Sequence, residues 1–297
     1  MASISPSTKV GLIYGITKKL DAELLRAGSK LGFEQLLVNL SMDVLKLRFG
    51  EHWFKFVCLN REGESDYFKI SASEPDRRLA TMRLCHAAEC LLNSYDDPVF
   101  DVWLQLAKNS HETAIAELQA LCLLREAGLD ARAKRPEGKI GSDYDYFVEF
   151  GGRTIACEVE AKLEKTRFSR RGIEQSIRRR AVKQLPTDSP GMIMLLVPLS
   201  WRAQKDFDRF FISVAMEVLQ KNTHLCSVSA FWEVIHVSPD MGSRIGYGIL
   251  EATPTGNPKL FARIHGDVPL TLGSQGSKWV ALDEIVTRVI AERQSTE

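Results

Sequence analysis

Charged side chains recur at every second position on both sides of a Gly-Gly pair. The set comprises Asp143, Asp145, Glu158, Glu160 and Lys162. A two-residue Gly-Gly loop between strand-like segments predicts a β-hairpin, because both turn positions accept the positive φ that such turns require. The two segments are therefore expected to lie side by side as antiparallel strands.

The turn also predicts which residues face each other across the hairpin. If Phe150 pairs with Arg153, Asp145 lies opposite Glu158. By the same register Asp143 lies opposite Glu160. Opposed residues, and residues two apart on one strand, share a face of the sheet. We therefore expect the four acids and Lys162 to converge on one side, provided that the register does not slip by one residue.

Four acids on one face of a hairpin need compensation, because like charges in opposed positions destabilise a sheet. A metal ion, Lys162 or full exposure to water could provide it. Magnesium takes oxygen ligands from one or two carboxylates and from substrate phosphates. A bound metal can also generate a hydroxide nucleophile and neutralise charge on a phosphoryl group. From the pattern alone, a metal site and a solvated polar face stay equally open.

A strongly basic segment follows the hairpin. Residues 162–183 contain nine Lys or Arg and two acids, a net charge of +7, whereas the whole chain carries +1. Such a local basic patch on an otherwise slightly acidic chain indicates a localised anionic partner.

The basic segment is predicted to form a helix over about residues 169–185. Apolar residues recur every four positions, at Ile173, Ile177, Ala181 and Leu185, and form a narrow seam against a sheet. Bases surround this seam, and only Glu174 within the helix could pair with them. We favour phosphate contacts over a merely solvated face. The residues expected to make them are Arg170, Arg171, Arg178, Arg179 and Lys183.

The elements around the hairpin predict a mixed α/β sheet that is covered by helices. The helix before it spans residues 100–127, with a possible break near Asn109-Ser110 and a stop at Gly128. Residues 143–150 and 153–162 are the hairpin strands, and a turn at 138–142 precedes them. The apolar segment 191–198 is typical of a buried central strand. A helix at 207–220 and a strand at 226–237 follow.

The first hundred residues are predicted to be mostly helical. Helices are expected within residues 20–49 and over 74–94, with a short strand at 53–59. Residues 93–98 form the best candidate boundary, because two acids precede a proline there. We therefore predict a helical N-terminal domain, 1–97, and an α/β domain, 98–297.

Composition excludes several other classes of protein. The chain has 297 residues, of which 44% are hydrophobic and 26% charged, so wholesale disorder is excluded. The longest apolar run, 192–199, is too short to cross a membrane, and no signal peptide is expected. None of the six cysteines forms a CxxC pair, which fits a reducing cytoplasm.

At two places the sequence resembles the PD-(D/E)xK nuclease superfamily, which has the restriction-endonuclease-like fold. The matching segments are Gly141-Ser-Asp-Tyr-Asp145 and Cys157-Glu-Val-Glu-Ala-Lys162. The resemblance covers roughly residues 110–199, and the order helix, acid-bearing hairpin, helix and strand is also similar. The proline of the family's name is absent, since Ser142 and Tyr144 precede the two aspartates.

The resemblance implies roles for particular residues. The aspartate position falls on Asp145 or Asp143. The (D/E)xK position is matched most directly by Glu160-Ala-Lys162. In a second frame Glu158 takes the acidic position and Glu160 replaces the lysine, which would put activity in doubt. The family's first helix often adds a glutamate, and Glu117 matches that position, although it could also be an ordinary helix-boundary residue.

The implied activity is metal-assisted hydrolysis of phosphodiester bonds, most readily those of DNA. Acids of the hairpin would hold Mg²⁺ or Mn²⁺, and Lys162 would orient the attacking water or stabilise transition-state charge. The expected partner is nucleic acid, a homodimer is left open, and no membrane association is expected. Two alternatives remain. One is a catalytically inactive nuclease-fold protein that binds nucleic acid or a protein partner. The other is an α/β interaction protein with a solvated acidic hairpin.

Overall fold

The computed structural model describes residues 9–27, 32–54, 68, 74–109, 111–162, 166–238, 242–255, 260–261 and 280–295. The chain divides into two compact units. One comprises residues 1–109, 237–245 and 272–297, and the other comprises residues 110–236 and 246–271. The sequence-based division after residue 97 stays a prediction, because compactness is a different criterion from independent folding.

In its described residues, the first unit begins with five helices. They are α1 (Lys9–Ala27), α2 (Phe33–Phe49), α3 (Glu51–Phe54), α4 (Glu74–Asn93) and α5 (Phe100–Asn109). The apolar stripe of α2 is buried, with Leu36, Val44 and Leu45 fully enclosed, which explains why its period of three and four residues predicted a helix. The predicted strand at 53–59 is wrong at Trp53 and Phe54, which end α3; residues 55–59 lie outside the described residues.

The second unit begins at the predicted helix break. Helix α6 (His111–Glu126) starts one residue after Ser110, and Gly128, at φ 80°, lies just beyond its end. A glycine here is favoured because the left-handed conformation carries no Cβ penalty. Strand β1 (Asp130–Ala133), which the sequence did not predict, pairs antiparallel with β2 (Tyr146–Phe150). Its Asp-Ala-Arg-Ala sequence has little strand propensity, so its pairing with β2 forms it.

The acid-bearing hairpin has the predicted register. Strand β2 pairs antiparallel with β3 (Arg153–Ala161), and Phe150 lies opposite Arg153. Gly151 and Gly152 have φ of 58° and 76°, as a two-residue turn of this kind requires. Strand β2 starts at Tyr146, three residues later than the predicted start at residue 143.

The rest of the sheet follows in chain order. Helix α7 (Arg170–Lys183) leads to β4 (Gly191–Leu196), which runs parallel to β3, and helices α8 (Leu199–Arg202) and α9 (Phe207–Lys221) lead to β5 (Leu225–Ser238), parallel to β4. Strand β6 (Gly242–Ala252) lies beside β5, and α10 (Leu282–Gln294) returns to the first unit. The six strands are ordered β1-β2-β3-β4-β5-β6, so the described residues form the expected mixed α/β sheet.

Helices α7 and α9 cover one face of this sheet. The seam of Ile173, Ile177, Ala181 and Leu185 is fully buried, as predicted, and packs with apolar side chains of β4 and α9. Ser169 caps α7, since its hydroxyl accepts a hydrogen bond from the Gly172 backbone N–H at 3.0 Å. Among the described helices, none is both long and apolar enough to span a bilayer.

We predict that the hairpin turn is sensitive to the residue type at position 152. Gly152→Val should lower the free energy of unfolding by about 1–2 kcal/mol, because a β-branched residue is strained at positive φ. The effect is conformational, since no other atom lies within 4 Å of a Cβ placed there. Urea unfolding measures it, and Gly151→Asn is the matched control, because asparagine tolerates this conformation. Equal stability of Gly152→Val and the wild type would contradict the turn assignment.

Candidate active site

Asp145 continues the hydrogen bonding between β2 and β3 by one residue beyond Tyr146. Its backbone makes one bond to β3 and its side-chain carboxylate makes the next. Its backbone N–H donates to the Cys157 carbonyl oxygen at 3.0 Å, and its Oδ2 accepts a hydrogen bond from the Val159 N–H at 2.7 Å. The carboxylate thus takes the place of the next strand carbonyl. It is fixed beside Glu158, the residue that the register sets opposite it.

Glu158 and Glu160 lie two apart on β3 and point to the face that α7 covers. Arg180 of α7 bridges them: its Nη1 donates to Glu158 Oε1 and its Nε donates to Glu160 Oε2. Lys162 Nζ donates to the second oxygen of Glu160 at 2.7 Å. Two glutamates and two cations therefore form one chain of ion pairs at the end of β3.

Glu158 is the most deeply buried acid of this group, with 1% of its surface exposed. Burial, and then repulsion by Asp145, raises the pKa of Glu158 to about 10, although Arg180 opposes the shift. Its Oε2 accepts no hydrogen bond from the described residues, and the carboxyl shares a side-chain hydrogen bond with Asp145. Burial therefore favours the protonated form of this carboxyl.

Burial also raises the pKa values of Asp145 and Glu117. Burial raises the pKa of Asp145 to about 6, against the hydrogen bond from Val159 and the charge of Arg180. Burial, followed by repulsion from Asp145, raises the pKa of Glu117 on α6 well above its ordinary value. Glu117 therefore lies within electrostatic reach of Asp145 and Arg180. We call Glu117, Asp145, Glu158, Glu160, Lys162 and Arg180 the carboxyl cluster.

Glu160 behaves in the opposite way. Burial opposes its ionised form, but the hydrogen bond from Lys162 and the charges of Arg180 and Lys162 outweigh burial, so the pKa of Glu160 lies below its ordinary value. Of the two acids on β3, the surroundings thus favour the ionised form of Glu160 and the protonated form of Glu158.

Asp143 takes a different position from the other predicted acids. Its Oδ1 accepts hydrogen bonds from the backbone N–H groups of Glu137, at 2.9 Å, and Gly138, at 3.2 Å. The side chain therefore caps the loop that precedes the hairpin. Its charge still contributes to the raised pKa of Asp145. Backbone donors in a loop carry no sequence pattern, so this placement could not be foreseen from spacing.

Arg180 is the residue that the site prediction missed. It follows Ile173 by seven positions, which is two turns of a helix, so it projects near the buried seam rather than with the outward bases. That spacing was visible in the sequence. The surplus of basic residues conceals it, because charge alone does not distinguish an inward arginine from its outward neighbours.

The other bases of α7 lie on its outer side. Arg178 pairs with Glu174 at 2.7 Å, and Arg170 pairs with Glu217 of α9. Arg171, Arg179 and Lys183 are exposed, and no acid among the described residues pairs with them. An outward basic surface of five residues is therefore present, and its partner stays a prediction.

The chemistry of the cluster fits a hard divalent cation, but its arrangement is not a preformed metal centre. The donors are all carboxylate oxygens, of the kind that Mg²⁺ prefers, and Glu158 has an oxygen without a partner. Among the described residues, however, no three His, Cys, Asp or Glu side chains are grouped so that they could hold a metal ion. Arg180 occupies the space between Glu158 and Glu160 instead.

In its described part the molecule is a mixed α/β protein, with a six-stranded mixed sheet and a carboxyl cluster at the end of β3. Compared with known proteins, the chain matches no family model, no curated protein and no solved structure. Its function is therefore inferred from the chemistry of its own residues.

The raised pKa values predict that the protein loses stability as the pH rises when no metal is present. Unfolded Glu158 titrates near 4.5 and folded Glu158 at about 10. The proton stabilises the fold fully below the lower value, and this contribution is lost as the pH rises through the higher one. Asp145 acts in the same direction between 3.8 and about 6. We expect the Tm in EDTA to fall by on the order of 5 °C from about pH 5 to about pH 8.

Two variants test the assignment of this effect. Glu158→Gln resembles the protonated acid at every pH, so the fall in Tm should become much smaller. Glu149→Gln changes an exposed acid of β2 that accepts a hydrogen bond from Thr154, and it should keep the wild-type slope. A wild-type slope in Glu158→Gln would show that another group retains the proton.

Proposed function

We propose that this chain is a metal-dependent nuclease with a restriction-endonuclease-like core, which hydrolyses phosphodiester bonds of DNA. The order α6, hairpin β2–β3, α7 and β4 supports the proposal, because it is the order that the sequence resemblance implies. The parallel pairing of β4 with β3 is compatible with it.

One observation carries the proposal: the cluster holds more carboxyls than cations. Among the described residues it comprises four acids, Glu117, Asp145, Glu158 and Glu160, and two bases, Lys162 and Arg180. With every group ionised the net charge is −2, which a divalent cation would neutralise. Burial is the largest cause of the raised pKa values of Glu158 and Asp145, and repulsion by a neighbouring carboxylate adds to it in each case.

The residues of the cluster have separable roles in this proposal. Asp145, Glu158 and Glu160 would hold Mg²⁺ or Mn²⁺, and Glu117 would support them from α6. When bound, the metal supplies charge neutralisation and a water of lowered pKa. Lys162, held by Glu160 at 2.7 Å, would orient the attacking water and stabilise negative charge on the phosphoryl oxygens.

The pairing of Lys162 with Glu160 supports the Glu160-Ala-Lys162 frame. The position of Glu158 opposite Asp145 and its contact with Arg180 support a role for the other glutamate as well. We therefore assign both glutamates to the site, and give Asp143 the loop-capping role that its hydrogen bonds indicate.

The outer side of α7 supports nucleic acid as the substrate. Arg171, Arg179 and Lys183 are exposed, and Arg170 and Arg178 hold single ion pairs that a phosphate could replace. Because this helix also supplies Arg180, a backbone bound along it would lie next to the carboxyl cluster. Exposed charges of this kind act through counterion release.

A second candidate is a catalytically inactive protein of the same fold that binds nucleic acid or a protein partner. The ion pairs of Arg180 and Lys162 favour it, because they already neutralise Glu158 and Glu160. This candidate predicts nucleic-acid binding without cleavage in any divalent metal.

Plasmid nicking with Mg²⁺ or Mn²⁺, and Mn²⁺ calorimetry on the same preparations, test the nuclease. Lys162→Ala should lower the nicking rate by about 10²-fold or more, because transition-state charge loses a cationic partner. It should keep or tighten Mn²⁺ binding, since an ammonium cannot ligate a cation. Glu160→Gln should weaken both Mn²⁺ binding and nicking, because it removes a charged ligand.

Glu149→Gln is the matched acidic control, because it lies on the same hairpin but outside the cluster, and it should nick at the wild-type rate. A severe loss in Glu158→Gln, comparable to that of Glu160→Gln, would show that both glutamates serve the site. Wild-type protein that binds Mn²⁺ and never cuts any DNA or RNA would favour the inactive candidate. Full-rate cutting by Lys162→Ala would contradict the role of this lysine.

Charge reversal on α7 tests the binding surface. The double variant Arg178→Glu and Arg179→Glu should weaken duplex binding by about tenfold or more, and should flatten its salt dependence by roughly two units of slope. Fluorescence anisotropy over a salt series measures both quantities. The control reverses two exposed bases away from α7, Lys205 and Lys221, and should bind as the wild type does. An unchanged slope in the α7 variant would mean that this surface is only solvated.

A further inference from the structure

Arg180 differs from every other base of α7 because it is bound by two glutamates at once. Its Nη1 contacts Glu158 and its Nε contacts Glu160, and a quarter of its side chain remains exposed. Arg179, which precedes it, and Lys183, three residues later, are exposed. Arg180 therefore lies at the border between the carboxyl cluster and the basic surface.

A divalent cation and Arg180 would compete for the same oxygens. The guanidinium cannot relieve the competition by losing its proton, because arginine stays charged in proteins. It can only move away from the carboxylates. A guanidinium released from a carboxylate suits a phosphate equally well, since both anions accept its planar fork of N–H donors.

We propose that Arg180 is a phosphate-binding residue of this site, which is held by Glu158 and Glu160 until a divalent cation takes these carboxylates and then turns to a phosphate of the nucleic acid. The proposal rests on the proposed function, and it adds an order of binding in which the metal precedes the nucleic acid. Metal binding would free the side chain that then binds the substrate. Metal and nucleic acid would therefore bind cooperatively through this residue.

Mn²⁺ calorimetry tests the first part of the proposal, that Arg180 and the cation compete for Glu158 and Glu160. Arg180→Gln removes the competing charge from a partly buried site, so it should tighten Mn²⁺ binding by about tenfold or more. The matched control is Arg209→Gln, an arginine of α9 that pairs with Asp206 at 3.1 Å outside the cluster, and its Mn²⁺ affinity should equal that of the wild type. Unchanged or weaker Mn²⁺ binding by Arg180→Gln would overturn the proposal.

Thermal unfolding keeps this test decisive if Arg180→Gln is unstable. Its loss of Tm should be recovered by Mn²⁺, because the cation replaces the missing counter-ion; a loss that Mn²⁺ does not recover would contradict the exchange. Arg180→Lys serves where Arg180→Gln does not fold. A lysine keeps the charge without bridging both glutamates, so Mn²⁺ should bind more tightly than in the wild type, and an unchanged affinity would overturn the proposal.

The salt dependence of duplex binding tests the second part of the proposal, that Arg180 binds a phosphate once the metal is bound. The Lys162→Ala variant should bind Mn²⁺ without cutting. When Arg180→Gln is added to it in the presence of Mn²⁺, the slope of log K against log salt concentration should become shallower by about one unit, the value for one phosphate contact. In EDTA the two slopes should be equal, because Arg180 is then held by the glutamates. Equal slopes in Mn²⁺ would show that Arg180 does not reach a phosphate.

These outcomes separate the failure of this proposal from that of the nuclease. If the wild type binds Mn²⁺ and cuts, but Arg180→Gln binds Mn²⁺ no more tightly, only the role of Arg180 is overturned. If the wild type binds no Mn²⁺ but Arg180→Gln does, Arg180 is the counter-ion of an inactive site and the nuclease proposal fails. If neither binds Mn²⁺, both are wrong.

Discussion

The burial of Glu158 next to Asp145 is the constraint on which the rest of the site depends. Two carboxyls in a poorly solvated position cannot both ionise without compensation. The protein meets this demand with Arg180 and Lys162, and with protons that raised pKa values retain. Glu117 adds another acid of raised pKa from α6. The proposed exchange of protons or arginine for a more highly charged cation starts from these residues.

The turn at Gly151-Gly152 sets this constraint. With Phe150 opposite Arg153, Glu158 and Glu160 face α7, whereas Cys157 and Val159 take the other face. A slip of one residue in β3 would exchange the two faces, bury the glutamates against apolar helices and leave Arg180 without its partners. Two glycines at the exposed end of the hairpin thus decide the electrostatics at its opposite end.

The sequence predicted those parts of the molecule that depend on local periodicity. The hairpin follows from alternation and a Gly-Gly turn, and the buried side of α7 follows from its four-residue spacing. Strand β1 depends on its partner strand, and β6 contains Gly248, where a Cβ would meet the Trp232 ring at 2.4 Å. In both strands, packing overrides weak propensity. The periodic Leu282, Ile285, Val286 and Val289 of α10 were overlooked although their signal was present. The inward position of Arg180 is a tertiary contact that charge counting does not reveal.

The charge balance of the cluster argues for a function beyond stability. Buried ion pairs lose hydration, and well-packed apolar residues in their place often stabilise a protein as much or more. A network kept for stability alone would be expected to balance its charges. Among the described residues this one carries two more carboxyls than bases, and no donor among them reaches Glu158 Oε2. Strongly shifted carboxyls with specific charged partners are typical of sites that bind or transform a ligand. Because the excess is negative and the donors are oxygens, a ligand of the cluster should bring positive charge, and the basic side of α7 would favour an accompanying anion.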